Sequence, residues 1–406
     1  MTAAAEIAPA RPLPGWARRL ADGLLVLTAA GIPLSTTGME AGVIGLGGLT
    51  LAAVVAGWPV VRRTPLDGVL ALFYATLALT TLASGRPLEA VGWARLWVVL
   101  TFFVVFWWLR DRTHGERLVR VVVLAGVVVA VYGIVQHFTG LDAYRGLLGR
   151  DTFVHPREPG SSGYAVVGFF RSYLTFAHVM VFPLAWGLAL ALRGGTLGLV
   201  ATPLVVAALV FSTARGAWIA SVAAGLVLLA IAPGARKLRV LAPLAVATMV
   251  AFALAPDLRS HAAHMLDFGG PNAGRMGIYR ANLDIVHDHP VLGLGFGRYQ
   301  RAAKLYYDEH PDADRRSHAH NDYLQMAAEA GLVGLAAFGL VYALALLRGW
   351  DAVVRATTPA EWATAAGAWA ATLGFLVGGV TQYNFGDSEV AVAMWFALGV
   401  LMRGRR

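Results

Sequence analysis

Residues 315–334 read Arg-Arg-Ser-His-Ala-His-Asn-Asp-Tyr-Leu-Gln-Met-Ala-Ala-Glu-Ala-Gly-Leu-Val-Gly. A charged, histidine-rich segment runs straight into an apolar helix. His318, His320, Asn321 and Asp322 therefore stand where an aqueous loop meets a membrane span. A histidine titrates near neutrality and can take a proton from a hydroxyl, which makes His320 the candidate general base. The bland alternative is a capping or interfacial histidine. His318, two residues away, either shares the site or belongs to the loop.

Two arginines offer complementary chemistry. Arg215 lies in Phe-Ser-Thr-Ala-Arg-Gly-Ala-Trp-Ile, between two apolar stretches. A charge near hydrocarbon costs several kcal/mol (~2.5–3.5 on insertion scales) and usually faces a cavity or a partner, although an arginine can also snorkel to the interface. Arg275 opens a helix predicted over about 274–289. Free N–H groups at a helix start and a guanidinium fork both favour phosphate oxygens; a solvated surface arginine is the other reading.

The chain that must position these residues has 406 of them and is 57% hydrophobic and 14% charged, against about 25% charged in an ordinary soluble domain. Apolar blocks of membrane-spanning length recur from end to end. The expected fold class is all-α, a polytopic transmembrane helical bundle forming one integral membrane domain over 1–406. The formal charge of +9 is scattered over helix ends, which argues against nucleic acid as a partner. There is no cysteine, hence no disulfide, thiolate metal site or cysteine nucleophile. The start is short, proline-containing and basic, unlike a cleavable signal, so the first span is expected to stay as an anchor.

Twelve spans are predicted, at about 22–37, 41–60, 67–84, 94–109, 118–137, 166–192, 197–212, 216–232, 239–255, 322–347, 362–381 and 388–402. The Lys/Arg bias of short loops sets their orientation: with the N-terminus inside, 18 of the 33 basic residues fall on inner segments. Two outer loops then stand out, 138–165 and 256–321. The larger holds seven of the eleven histidines and is expected to be partly helical. Met276, Tyr279, Leu283 and Val286 make an apolar stripe at helical spacing. His289-Pro290 ends that helix, and a second is predicted at about 298–307.

Neither metal nor another cofactor is expected. His261-Ala-Ala-His264 has i, i+3 spacing, His287, His289, His318 and His320 can cluster, and Asp312-Ala-Asp314 resembles a cation-holding acidic pair. Zinc needs three or four ligands in closed geometry, and only pairwise spacings occur. Gly293, Gly295 and Gly297 lack the strand-turn-helix context of a dinucleotide fingerprint and read as a tight turn. In the last outer turn Asp387 or Glu389 either orients His320 or caps the next helix, the cap being the plainer reading.

Three pieces of the chain resemble the O-antigen ligase and polymerase family of bacterial membrane proteins: Ser212-Thr213-Ala214-Arg215-Gly216-Ala217-Trp218; Gly274-Arg275 leading to His289-Pro290-Val291-Leu292-Gly293-Leu294-Gly295-Phe296-Gly297; and His320-Asn321-Asp322-Tyr323-Leu324-Gln325 followed by Glu329-Ala330-Gly331-Leu332-Val333-Gly334. The motif-bearing region is 195–347. The resemblance implies a C-type glycosyltransferase architecture in the bacterial inner (cytoplasmic) membrane, multi-pass, with its active site on the periplasmic face and 256–321 as a periplasmic loop. It implies a glycan donor on undecaprenyl diphosphate and, as acceptor, lipid A–core, another carrier-linked repeat unit or a protein hydroxyl. The Arg-Gly and His-Asn contexts favour the ligase over the polymerase. In the family's terms Arg215 and Arg275 contact the diphosphate, His320 is the essential histidine, and Asp387 sits roughly where some members have an important acidic residue; His318 and Asn321 are supporting candidates from their place beside His320. A membrane transporter using Arg215 as a binding charge is the non-enzyme alternative; the two related halves usual for that class are not evident.

Overall fold

In the computed structural model the described residues are 12–86, 91–156, 163–232, 237–254, 273–314 and 317–404. They are all-helical, with a lone antiparallel bridge between Pro156 and Tyr164. Helices α1 (Gly15–Leu34) and α2 (Thr36–Val55) form a hairpin at Ser35, whose hydroxyl accepts the Gly38 N–H and caps α2. After α3 (Asp67–Ala83), a 3-10 segment (Val91–Val99) runs into α4 (Leu100–Trp108). The longer α5 (Arg112–Thr139) starts on the Asp111 side-chain cap. Then come α6 (Ala143–Leu147), α7 (Tyr173–Leu192), α8 (Thr196–Ser212), α9 (Arg215–Ile231) and α10 (Lys237–Leu254). The connecting loop carries α11 (Ala273–Asp288), α12 (Tyr299–Ala302) and α13 (Lys304–Glu309). The chain closes with α14 (Asp322–Val354), α15 (Pro359–Gly378) and α16 (Ser388–Arg403).

A helix lies over each predicted span, with shifted edges. Four of these helices are long and apolar enough to cross a membrane, namely α2, α5, α7 and α14; α3, α8, α9 and the stretches Leu96–Trp108 and Val240–Ala251 are apolar but shorter. Residues 166–172, predicted as the start of a span, are not helical, because Gly168 takes φ 56° and the Ser172 hydroxyl caps α7 at the Leu174 N–H. At the centre lies α7, with 83% of its apolar window buried under α8, α9 and α15.

The loop helices form a smaller core of their own. Ile278, Ala281 and Ile285 of α11 pack with Tyr299, Tyr307 and Ala328. This buried face is offset from the stripe read in the sequence: Leu283 is 57% exposed. Tyr279 of that stripe is turned instead toward His320.

A break in α14 sets the geometry near His320. Gly331 has φ 66° and ψ −172°, a region open essentially to glycine alone. In an unbroken helix the Leu332 N–H would reach the Ala328 carbonyl. Here the Leu332 N–H donates to the Pro290 carbonyl at 2.8 Å, and the Leu294 N–H donates to the freed Ala328 carbonyl at 2.8 Å. The Glu329 carboxylate accepts from the Gly297 and Tyr299 N–H groups at 3.0 and 3.1 Å. The glycine-rich 290–299 segment thus inserts into the break and satisfies both sides of it. Gly293, Gly295 and Gly297 all take positive φ there, as expected of a tight turn, so the two glycine motifs work as one unit. Gly331→Ala would force a side chain into the left-handed region and onto the Val291 carbonyl. The strain alone is worth ~1–3 kcal/mol, so a lower unfolding temperature in detergent is expected, and an unchanged one would contradict this account.

Candidate active site

Arg215 is the first residue of α9. The αα turn before it is tight: α8 stops at Ser212, Thr213 takes φ 60°, and Ala214 provides no side-chain cap. Gly216 lets this end approach the turn that follows α15, since a Cβ there would collide with the Thr381 hydroxyl. Arg275 sits in the first turn of α11. One turn later the Tyr279 hydroxyl donates to the Val380 carbonyl at 3.1 Å and to the His320 carbonyl at 3.4 Å. Burial pushes the Tyr279 phenol up, partly offset by the Arg275 charge, so it stays a donor.

Arg215 and Arg275 line one polar cavity of about 120 Å³, together with Thr213, His178, Thr381 and Gln382. Gln382 joins this cavity to the histidine: its Oε1 lies 2.9 Å from His320 Nδ1. An amide oxygen only accepts, so Nδ1 carries the hydrogen and Nε2 of a neutral ring keeps its lone pair. The His320 backbone is held at φ 49°; with Thr213 it is one of two non-glycine residues at positive φ among the described residues. Such conformations persist where surrounding structure enforces them, and they cluster at functional sites. Here the enforcement is visible. The Asn321 amide donates to the Val380 carbonyl at 2.8 Å while its Oδ1 caps α14 at the Tyr323 and Leu324 N–H groups. The Asp322 N–H reaches the Gly379 carbonyl at 2.7 Å, and its carboxylate accepts from the Phe385 N–H at 2.9 Å.

His318 packs against His320 with ring centroids 4.2 Å apart and planes tilted by 60°, and its Nδ1 accepts the His320 N–H at 3.3 Å. Asp387 caps α16 through the Val390 N–H and accepts the Thr175 hydroxyl at 2.6 Å. The acceptor at His320 Nδ1 is Gln382, not Asp387. Burial, and then the Glu389 charge, raise Asp387 from 3.8 to about 7. A carboxyl that holds its proton more tightly when folded makes stability fall as pH rises. The Asp387 contribution to stability is therefore lost as pH rises from 3.8 toward about 7, and Asp387→Asn is expected to remove that part of the pH dependence of the unfolding temperature.

Sequence reasoning passed over two residues here. Gln382 is a neutral amide at a span end and carries no charge signal. His178 lies within α7, is buried, and donates from Nδ1 to the Leu174 carbonyl at 2.9 Å; its Nε2 has no hydrogen-bond partner among the described residues. A lone histidine in an apolar run was the available signal. Among the described residues no three His, Asp or Glu side chains converge as a metal site. Asp312 is paired with Arg280 at 2.9 Å. His261, His264, Arg315 and Arg316 lie outside the described residues.

Fold and site together describe a helical membrane protein with a paired-arginine cavity beside an oriented histidine. Residues 199–339 match the family described as O-antigen ligase, which supports the resemblance carried by the motifs. The family implies a glycosyltransferase-like enzyme of the ligase or polymerase kind, with a lipid-linked glycan donor and a glycan acceptor. Arg215, Arg275 and His320 fall inside the matched segment; His178 and Gln382 fall outside it. Among curated proteins none matches the chain.

Proposed function

We propose that the protein moves a glycan from undecaprenyl diphosphate to an acceptor hydroxyl, that of lipid A–core in the ligase reading, on the periplasmic face of the inner membrane. The supporting observation is the cavity shared by Arg215 and Arg275, whose wall residue Gln382 holds His320. His320 Nε2 removes the proton from the acceptor hydroxyl. The resulting oxygen attacks the anomeric carbon, the bond from that carbon to the diphosphate oxygen breaks, and the electron pair leaves with the diphosphate. Attack opposite the leaving group inverts the anomeric configuration. Two guanidinium groups and the α9 N-terminus neutralise the charge that grows on the diphosphate, the preorganised electrostatic role that dominates many such reactions. In this reading no metal is needed, and transfer is expected to persist in EDTA.

The test is purified protein in nanodiscs with a lipid-linked donor, no nucleotide, and lipid A–core, a carrier-linked repeat or a protein as separate acceptors. Growth of lipid A–core fits the ligase reading, and growth of the carrier-linked repeat fits a polymerase. Absence of transfer to all three, with the protein folded and the donor bound, defeats the enzyme reading and leaves the transporter.

A further inference from the structure

The end of the bundle far from His320 carries a pocket of its own. Helix α3 runs away from that end: near its last turn the Thr81 hydroxyl lies 3.2 Å from the Phe296 carbonyl of the glycine-rich segment. Helix α16 runs toward it. It starts at the Asp387 cap and finishes at Arg403, whose guanidinium donates to the Leu109 and Arg110 carbonyls at 2.8 and 3.1 Å. The beginnings of α1 and α3 and the ends of α4 and α16 therefore meet on the side opposite the transfer site.

Between them lies a cavity of about 420 Å³ with Arg18, Arg62, Arg110 and Arg403 in its wall. The Asp22 carboxylate in that wall is paired with Arg110 at 3.1 Å. Arg62 and Trp107 line this cavity and also a groove of about 510 Å³. The groove passes between α3 and α4 along Leu70, Ala71, Val99 and Phe103. From Asp67 to Tyr74 it follows about 11 Å of helix axis, at ~1.5 Å per residue. Arg63 stands with Arg62 at its mouth, and the Asp67 carboxylate there is taken up by the Thr64 N–H and hydroxyl.

Trp107 fixes the junction, its indole N–H donating to the Arg62 carbonyl at 2.9 Å. Trp16 and Trp58, which flank wall residues in the chain, meet edge to face with centroids 5.8 Å apart. Indole rings gather at the membrane–water boundary. The Lys/Arg bias of inner segments can place arginines here, but it does not require a cavity that opens into an apolar groove. Basic pockets between helix ends suit anionic lipid headgroups, and a guanidinium fork suits phosphate oxygens.

We propose that this cavity and groove hold one anionic phospholipid, its headgroup at Arg18, Arg62 and Arg110 and an acyl chain between α3 and α4. With the transfer site on the periplasmic face, as proposed above, this lipid belongs to the inner leaflet. The site shares no wall residue with the Arg215–Arg275 cavity and has no part in the transfer chemistry. It joins α1, α3, α4 and α16, so bound lipid stabilises the bundle.

The experiment uses the full chain in detergent, with lipid binding read by native mass spectrometry and unfolding temperature as a second readout. Phosphatidylglycerol is expected to bind ~10-fold more tightly than phosphatidylcholine with the same chains, the scale of one or two arginines facing a net lipid charge, and to raise Tm further. Arg18→Gln combined with Arg62→Gln should erase that preference and leave phosphatidylcholine binding as it was. Ala71→Trp fills the groove and should weaken both lipids alike. Val61→Trp, at the exposed mouth, makes the same test if Ala71→Trp fails to fold. Equal affinity for the two lipids, or a preference that survives in the double variant, would overturn the assignment. Stabilisation by inorganic phosphate equal to that by phosphatidylglycerol would reduce the site to an anion pocket. Tighter binding of undecaprenyl phosphate, lost in Ala71→Trp, would give the groove to the carrier instead. His320→Ala should leave all these readouts unchanged, so failure of the transfer reading and failure of the lipid site are told apart.

Discussion

His320→Ala is expected to lower glycan transfer by ~10²–10⁴-fold, the usual contribution of a positioned general base, with little change in binding of the lipid-linked donor. The reason is geometric. Gln382 takes the hydrogen of Nδ1 at 2.9 Å, so the basic nitrogen is Nε2, and a φ of 49° at His320 fixes where the ring leaves the backbone. The diphosphate is held elsewhere, at Arg215 and Arg275, so removing the base costs rate and not donor affinity. Gln382→Leu keeps the base and removes its orientation. It should lose less activity and shift the pH profile, because either ring nitrogen is then free to carry the proton. Gln382→Glu tests the same contact from the other side: a carboxylate at that oxygen favours the protonated ring and should move the pH optimum upward. Transfer of labelled glycan by the folded variants decides the matter, and retention of near-normal rate by His320→Ala would remove the general base from the mechanism.

The helical frame was legible because hydropathy reports it directly: a helix lies over each predicted apolar stretch, and the described residues 273–314 carry shorter helices with a small core of their own. The loop helix was legible for the same reason, ending at Asp288 just before His289-Pro290. Its buried face was not. Tyr279 reads as apolar, yet its hydroxyl is used to hold the His320 and Val380 carbonyls, and that turns Leu283 outward. The break at Gly331 was equally hidden. A single glycine in an apolar run is ordinarily tolerated within a helix at about 1 kcal/mol. What makes this one a break is the 290–299 segment earlier in the chain, whose Pro290 carbonyl replaces the lost helical hydrogen bond. The site divides in the same way. Arg215, Arg275 and His320 are charged or titratable and stand at or just before helix starts, so their chemistry is visible in one dimension. Gln382 is a neutral amide, and its meaning arises only where the α15–α16 turn meets the start of α14.

Arg215→Ala and Arg275→Ala are each expected to reduce transfer by ~10²–10³-fold, the scale of losing one preorganised group at a developing negative charge. The loss should fall mainly on kcat, since charge on the diphosphate grows as the glycosidic bond breaks and these contacts strengthen toward the transition state. Lysine is a poor substitute at either place. It offers a compact point charge where two oxygens call for a planar fork. Arg215 is also fixed in direction by the first turn of α9, with Gly216 packed on Thr381. The double variant should lose less than the product of the single losses, because both groups line the same cavity of about 120 Å³ and neutralise the same ligand; residues with a shared partner do not act additively. Arg275 is the sharper test of the pair. It belongs to a loop helix tied to the site by Tyr279, so Tyr279→Phe should reproduce part of the Arg275→Ala loss by loosening that helix. If Arg275→Ala left kcat unchanged while Arg215→Ala abolished it, Arg275 would be a surface arginine, and the charge on the leaving diphosphate would have to be met by Arg215 and the α9 terminus alone.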